Sequence, residues 1–280
     1  MKRIFGIICL FACVACMAVA APKQVRVSTA EEFINALGDN REIIVCAEDG
    51  LLLTQALSDM IEARKIKEFD RQTRAKQVGV FYDTETDGPT IVISGYKNIT
   101  IRSDVQDRRA IEVTPRYAYV LEFISCENLT FTNLLLGHTR EGYCDNGVLG
   151  FDDCKNITIT NCGLYGCGTE GIVARQCQNL QMTGSEIYEC SYSIMHLFTC
   201  TDCTFANCYF YKNKEYDLVG VSDSCEKIVF DNCTFAGNKG LLFNFDRQDN
   251  VKLNRCLIQH AGAISDDRIT CDTDCIWIYE

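Results

Sequence analysis

Four side chains of complementary acid, base and cationic character recur in the second half of this chain: Asp152, Arg175, His196 and Asp223. They are the candidate catalytic residues. Arg175 can hold a substrate carboxylate, His196 can move a proton near neutral pH, and Asp152 can orient Arg175 as its ion-pair partner. Asp223 and Asp246 form a like-charged pair. Such a pair either holds Ca²⁺, with Asn244 adding an oxygen, or raises one carboxyl into a general-acid range. Asn244 and Asp246 are also candidate substrate contacts, together with His138 and Arg140 in the insertion 137–147. Each of these residues taken singly is equally a solvated polar group on a strand face, and Val173, Val221 and Phe198 interrupt the cluster with apolar side chains.

What must position them is a repeat. Cys126, Cys154, Cys177, Cys200 and Cys225, with Gln248 in the sixth place, are spaced by 28, 23, 23, 25 and 23 residues, and most are followed two places later by Asn. A fixed period in this range signals a solenoid whose units bury their core only against neighbours. After each marker the apolar residues alternate, as in Asn128-Leu129-Thr130-Phe131 and Asn156-Ile157-Thr158-Ile159, which reads as a short strand. Asn133, Asn161, Gly184, Asn207 and Asn232 follow, residue types that tolerate a left-handed turn. A second strand carries Leu136, Leu164, Ile187, Phe210 and Phe235, and a third precedes each marker, from Val120–Phe123 to Leu241–Phe245. Three short strands per turn predict an all-β parallel β-helix. Alternation then gives two outward rows on the strand before the marker. One reads Glu122, Gly150, Val173, His196, Val221, Asn244, and the next Ile124, Asp152, Arg175, Phe198, Asp223, Asp246.

This pattern of apolar strand, Cys-x-Asn, Ile/Leu-x-Ile/Phe, Asn turn and strand resembles the right-handed parallel β-helix of the pectate-lyase-like superfamily over roughly residues 90–262. The segment Val27 to Leu37, followed by Ile43-Ile44-Val45, is similar to the capping helix and first strand of exported bacterial members, and its Ser/Thr with Glu three places on is a capping-box signature in its own right. The resemblance implies a sugar-binding groove on the strand before the marker and its preceding loop. It constrains the chemistry weakly, since lyases, hydrolases, binding proteins and adhesins share the fold. The acidic metal cluster with a catalytic Arg of the calcium-dependent lyases cannot be matched here in full. A leucine-rich repeat, the rival fold, would need a Leu-x-x-Leu-x-Leu frame that these units lack.

The domains read as a secretory signal peptide at 1–20, an N-terminal cap and helical excursion at 21–89, the β-helix at 90–262 and a tail or cap at 263–280. A lipid-anchored reading through Cys13 is the minor one. The protein is thus expected to be secreted or periplasmic, with no transmembrane segment. Residues 53–77 read as a helical stretch with a solvated charged face and no chemistry. Loss of Lys2 and Arg3 takes the formal charge from −11 to −13, which argues against nucleic acid and favours a neutral or weakly charged glycan over a polyuronate. The three cysteine rows, Cys126/154/177/200/225, Cys162/208/233/256 and Cys167/190, read as buried thiols; Cys144, Cys271 and Cys275 stand outside them as disulfide candidates. Tyr165, Tyr188 and Tyr211 read as a stabilising outward stack. The functional expectation is a carbohydrate-engaging β-helix, a polysaccharide lyase or glycoside hydrolase if catalytic, with a non-catalytic scaffold or adhesin as the alternative.

Overall fold

The computed structural model describes residues 21–139, 146–166, 170–214, 218–222, 225–239, 243–245, 251–259, 269–271 and 274–278. One coil shows why the chain winds. Leu149–Asp152 forms a strand, the chain turns at Asp153 (φ 54°), and Lys155–Thr160 forms the next. Asn161 (φ 51°) turns it again into Gly163–Tyr165. A left-handed residue costs most side chains about 1–2 kcal/mol, and Asn, whose short amide bonds locally, visits that region more readily. All five expected turn positions, Asn133, Asn161, Gly184, Asn207 and Asn232, have positive φ. The Asn of Cys-x-Asn is left-handed too, and its amides form a ladder: Asn128 Nδ2 donates to Asn98 Oδ1 at 2.8 Å, Asn156 to Asn128 at 2.9 Å and Asn179 to Asn156 at 2.9 Å.

Among the described residues the strands stack into three sheets of ten, nine and nine, each pairing almost wholly in parallel with its counterpart in the next coil. The first sheet holds the strands after the marker, the second those after the Asn turn, and the third those before the marker. Alternate residues, such as Ile157 and Ile159 or Ile228 and Phe230, point into one continuous buried core, each fully buried large apolar side chain contributing about 2 kcal/mol.

The cysteines of the two longer rows belong to the turns, whereas Cys203 lies within the strand Thr201–Ala206. Cys154 Sγ accepts from the Cys126 amide at 3.4 Å and lies 3.4 Å from both the Phe123 and the Asp152 carbonyl, which share its one proton. A thiol here satisfies backbone groups that the turn would otherwise leave buried and unpaired. Ser185 takes the same place between cysteines of the second row, accepting from the Cys162 amide at 3.0 Å. Cys275 also falls within that row, its sulfur accepting from the Cys256 amide at 3.4 Å, so it is a further rung rather than an outlying residue. Cys144 and Cys167 lie outside the described residues.

At the N-terminus, Ala30–Ala36 is a helix begun by a capping box of Thr29 and Glu32. The expected helical stretch at 53–77 is shorter: the helix is Leu53–Glu62, and the chain then adds a short strand at Lys67–Glu68 to the third sheet. A single 3-10 turn follows at Arg74–Lys76, and Gly79–Glu85 returns as a hairpin antiparallel to Gly88–Ser94. Leu53, Leu57 and Met60 of the helix are buried; the chain then breaks at Arg64 (φ 55°), and Ile66 and Phe69 are buried beyond it outside any helix.

Candidate functional site

The third sheet places the predicted residues on its outer face, with one shift of register. His196 pairs with Gly220 and Leu197 with Val221, so Val221 enters the core and the first row runs Glu122, Gly150, Val173, His196, Gly220, Asn244. The second row runs Ile124, Asp152, Arg175, Phe198, Ser222. One residue separates Asp152, Arg175 and Phe198 from the next cysteine, whereas two separate Ser222 from Cys225. Counting back from the cysteine therefore slips by one in this coil, and Ser222 holds the position assigned to Asp223. Asp223, Asp246 and Arg140 lie outside the described residues, as does the side chain of Asn244.

The expected ion pair of Asp152 with Arg175 does not form, although the two are register partners. Asp152 is bonded to Arg74. Arg175 instead lays its guanidinium over the Phe198 ring, 4.3 Å from the centroid, an arrangement that leaves the N–H edge of this exposed side chain available to a ligand. The His196 ring stacks on the same Phe198 at 4.3 Å and 19°, and its Nδ1 is 3.7 Å from Glu170 Oε1. Gly220 makes room for it: a Cβ there would sit 2.3 Å from His196 Nε2.

Beside this cluster is a polar pocket of about 190 Å³, lined by Arg71, Tyr119, Glu122, Asn146, Asp152 and Arg175 among others. Arg71 donates to both oxygens of Glu122 at 2.9 Å, and its Nε donates to Asp83 at 2.6 Å. Burial pushes the Glu122 carboxyl up, against the pull of Arg71. Burial also acts on Arg71, but Glu122 and Asp83 hold its guanidinium above the ordinary value. Glu85 is pushed up by burial and by the charges of Asp83 and Glu122. Gly150 forms part of the pocket wall, and the Tyr119 ring lies 3.0 Å from where a Cβ would stand.

His138 is not a groove residue. It is 3% exposed at the end of Leu134–His138, where Nε2 meets the Ala118 carbonyl at 2.8 Å. A carbonyl only accepts, so the proton sits on Nε2, and the buried Nδ1 has no partner. Desolvation pulls its pKa down to about 4. The tyrosine stack is present, with centroids 5.5 Å and 4.9 Å apart at 12° and 6°; the rings spend their faces on one another, which leaves mainly edges for a sugar. Arg71, Arg74, Tyr119 and Glu170 escaped the sequence reading because none follows from the repeat. The first two lie in the excursion, to which no chemistry was assigned.

Asp223 and Asp246, the expected calcium ligands, lie outside the described residues, and of the carboxylates in the pocket Glu122 and Asp152 are engaged by Arg71 and Arg74, which an ion would have to displace. Among the described residues no cluster of three or more His, Cys, Asp or Glu is arranged to hold a metal.

A family model described as "Right handed beta helix region" matches residues 146–279. The solved structure of the pectate lyase Pel9A superposes with a TM-score of 0.57 at 12% identity, covering 85% of this chain and 63% of that one. The chain folds as a right-handed parallel β-helix. This β-helix thus spans less than two thirds of Pel9A. An alginate lyase from Paenibacillus sp. str. FPU-7 aligns at 11% identity over 91% of this chain and 97% of that one, with a TM-score of 0.38. No curated protein sequence matches the β-helix.

Proposed function

We propose that this β-helix is an exported protein that engages a neutral or weakly charged glycan on the outer face of its third sheet. The observation that carries the reading is the cluster of Arg175 and His196 on Phe198, next to a polar pocket on the same face. An aromatic edge, a guanidinium and several carboxylate oxygens offer the mix of apolar and hydrogen-bonding surface that a sugar ring presents in return. Arg71 and Arg74 are each engaged by carboxylates, so among the described residues Arg175 is the one guanidinium lining the pocket that no carboxylate neutralises, less positive charge than a run of uronates would need. The fold shared with Pel9A and the name of that protein as a pectate lyase support carbohydrate as the ligand class.

If the site is catalytic, His196 is the proton-transferring group, with Glu170 orienting its imidazole, and Arg175 positions the substrate. The test is a panel of polysaccharides incubated with the purified protein, with and without Ca²⁺, reading reducing ends and the absorbance of unsaturated products. New reducing ends alone indicate hydrolysis, and unsaturated products indicate elimination. Binding with neither product supports a non-catalytic carbohydrate module, and neither binding nor turnover on any member refutes the glycan reading in favour of the scaffold. Export agrees with the apolar N-terminal run 4–20, and among the described residues no helix is long and apolar enough to cross a membrane.

A further inference from the structure

Among the described residues, the outer face of the third sheet is covered at one end and exposed at the other. After the edge strand Lys67–Glu68, residues 69–77 cross it outside the strands Gly88–Ser94 and Leu121–Ile124. Phe69 packs there on Val92, Ile124 and Phe81, a small apolar cluster separate from the solenoid core. Val92 and Ile124 point outward from the sheet yet have no exposed surface.

The crossing segment is fastened along its length. The Phe69 amide donates to the Tyr82 carbonyl at 2.7 Å, Gln77 Nε2 to the Asp70 carbonyl at 2.7 Å, and Ser94 Oγ to the Gln77 carbonyl at 2.7 Å. From it Arg71 reaches Glu122 and Arg74 reaches Asp152, one rung further on. Beyond these arginines the face opens, with Arg175 exposed and Phe198 and Ser222 part-exposed along the second row.

We infer that this segment closes the groove, so that the protein takes the end of a glycan chain rather than its interior. The inference rests on the glycan reading above and specifies how the same face is used. The terminal sugar occupies the pocket, and the following sugars run over Arg175, Phe198 and His196 toward Ser222. A pocket of about 190 Å³ holds one pyranose ring, being smaller than the roughly 300 Å³ at which sites begin to enclose a larger ligand. Glu122 and Asp152 present acceptor oxygens beside their arginines, and Glu85 and Asp83 stand close behind. That surface suits the hydroxyl donors of a neutral hexose or pentose and repels a terminal carboxylate.

The experiment is calorimetric titration of the full protein with the monosaccharides and the oligosaccharides of up to six units of the cello, xylo, manno and galacto series, and with the parent polysaccharides. For every series that binds, closure requires one protein per chain whatever the chain length. Occupancy that grows in proportion to length overturns the inference while leaving the glycan reading standing; no binding to any probe overturns both. Variants locate the end. Arg74→Ala should weaken the monosaccharide and the hexasaccharide by the same factor, about tenfold, whereas Phe198→Ala should weaken the hexasaccharide and spare the monosaccharide. The reverse pattern, with Arg74→Ala silent and Phe198→Ala acting on all lengths alike, means that the chain end is not held at the wall.

Discussion

Acid should destabilise this protein through one buried imidazole. His138 is enclosed at the end of its strand, with Nε2–H on the Ala118 carbonyl and Nδ1 without a partner. Protonating Nδ1 would bury a charge with no acceptor for its new proton, and the field of Asp87 only partly favours the cation there. The folded pKa falls from 6.5 to about 4, so the unfolded chain binds the proton more tightly than the native one. Stability is therefore complete above about pH 6.5 and is lost as pH falls toward 4. At about 1.36 kcal/mol per pKa unit, the loss is about 2 kcal/mol at pH 5 and about 3 kcal/mol at pH 4. Urea unfolding of the parent and of His138→Gln, each at about pH 7.5 and pH 5, isolates this residue, because the carboxylates titrate alike in both proteins. Glutamine can keep a donor for Ala118 but cannot titrate. The parent should lose about 2 kcal/mol more than the variant over that interval. Equal losses in the two proteins would refute the reasoning.

Other expectations follow from the same geometry. Arg175→Ala and His196→Ala should lower glycan binding or turnover by an order of magnitude or more while changing stability by no more than about 0.5 kcal/mol; unchanged binding in both moves the site off this face. Gly220→Ala should reproduce the His196 defect with the histidine still present, since the new methyl group meets the imidazole at 2.3 Å; wild-type binding in that variant would show that the ring position is immaterial. Arg71→Ala leaves Glu122, whose side chain is 7% exposed, as an unpaired buried anion and should cost about 3 kcal/mol at neutral pH. Because burial raises the Glu122 pKa, that cost should shrink as acid neutralises the carboxyl, and a pH-independent cost in urea unfolding would contradict it. Thiol counting after denaturation without reductant should find the row cysteines 126, 154, 177, 200, 162, 208, 233 and 256 reactive, as expected for sulfurs occupied with backbone groups rather than with each other; a count near zero would mean a disulfide-bonded framework.

The solenoid was legible because each coil repeats the same local problem. Cysteine at one turn, Asn in a left-handed conformation at the next, and alternating Ile, Leu and Phe between them define strand, turn and inward face from sequence alone. The outward rows followed wherever the strand-to-cysteine spacing was constant, as at Asp152, Arg175 and Phe198. They failed at Ser222, where one additional residue before Cys225 changes the count without disturbing the pairing. Local pattern fixes which side chains leave the core; register across coils is set by backbone hydrogen bonding, which tolerates an added residue in a turn.

The partners of the outward side chains were decided by tertiary structure alone. Nothing near Asp152 in sequence marks Arg74 as its counterion, 78 residues earlier, and nothing near Glu122 marks Arg71. These contacts exist because a non-repeating segment folds back across the third sheet and buries Phe69 on Val92 and Ile124. The burial of His138 is of the same kind: its strand was readable, but its enclosure depends on the chain around Ala118, whose carbonyl it reaches across the coil. Repetition encodes the scaffold in every unit, while the shape and charge of the groove depend on single long-range contacts that no repeat can announce.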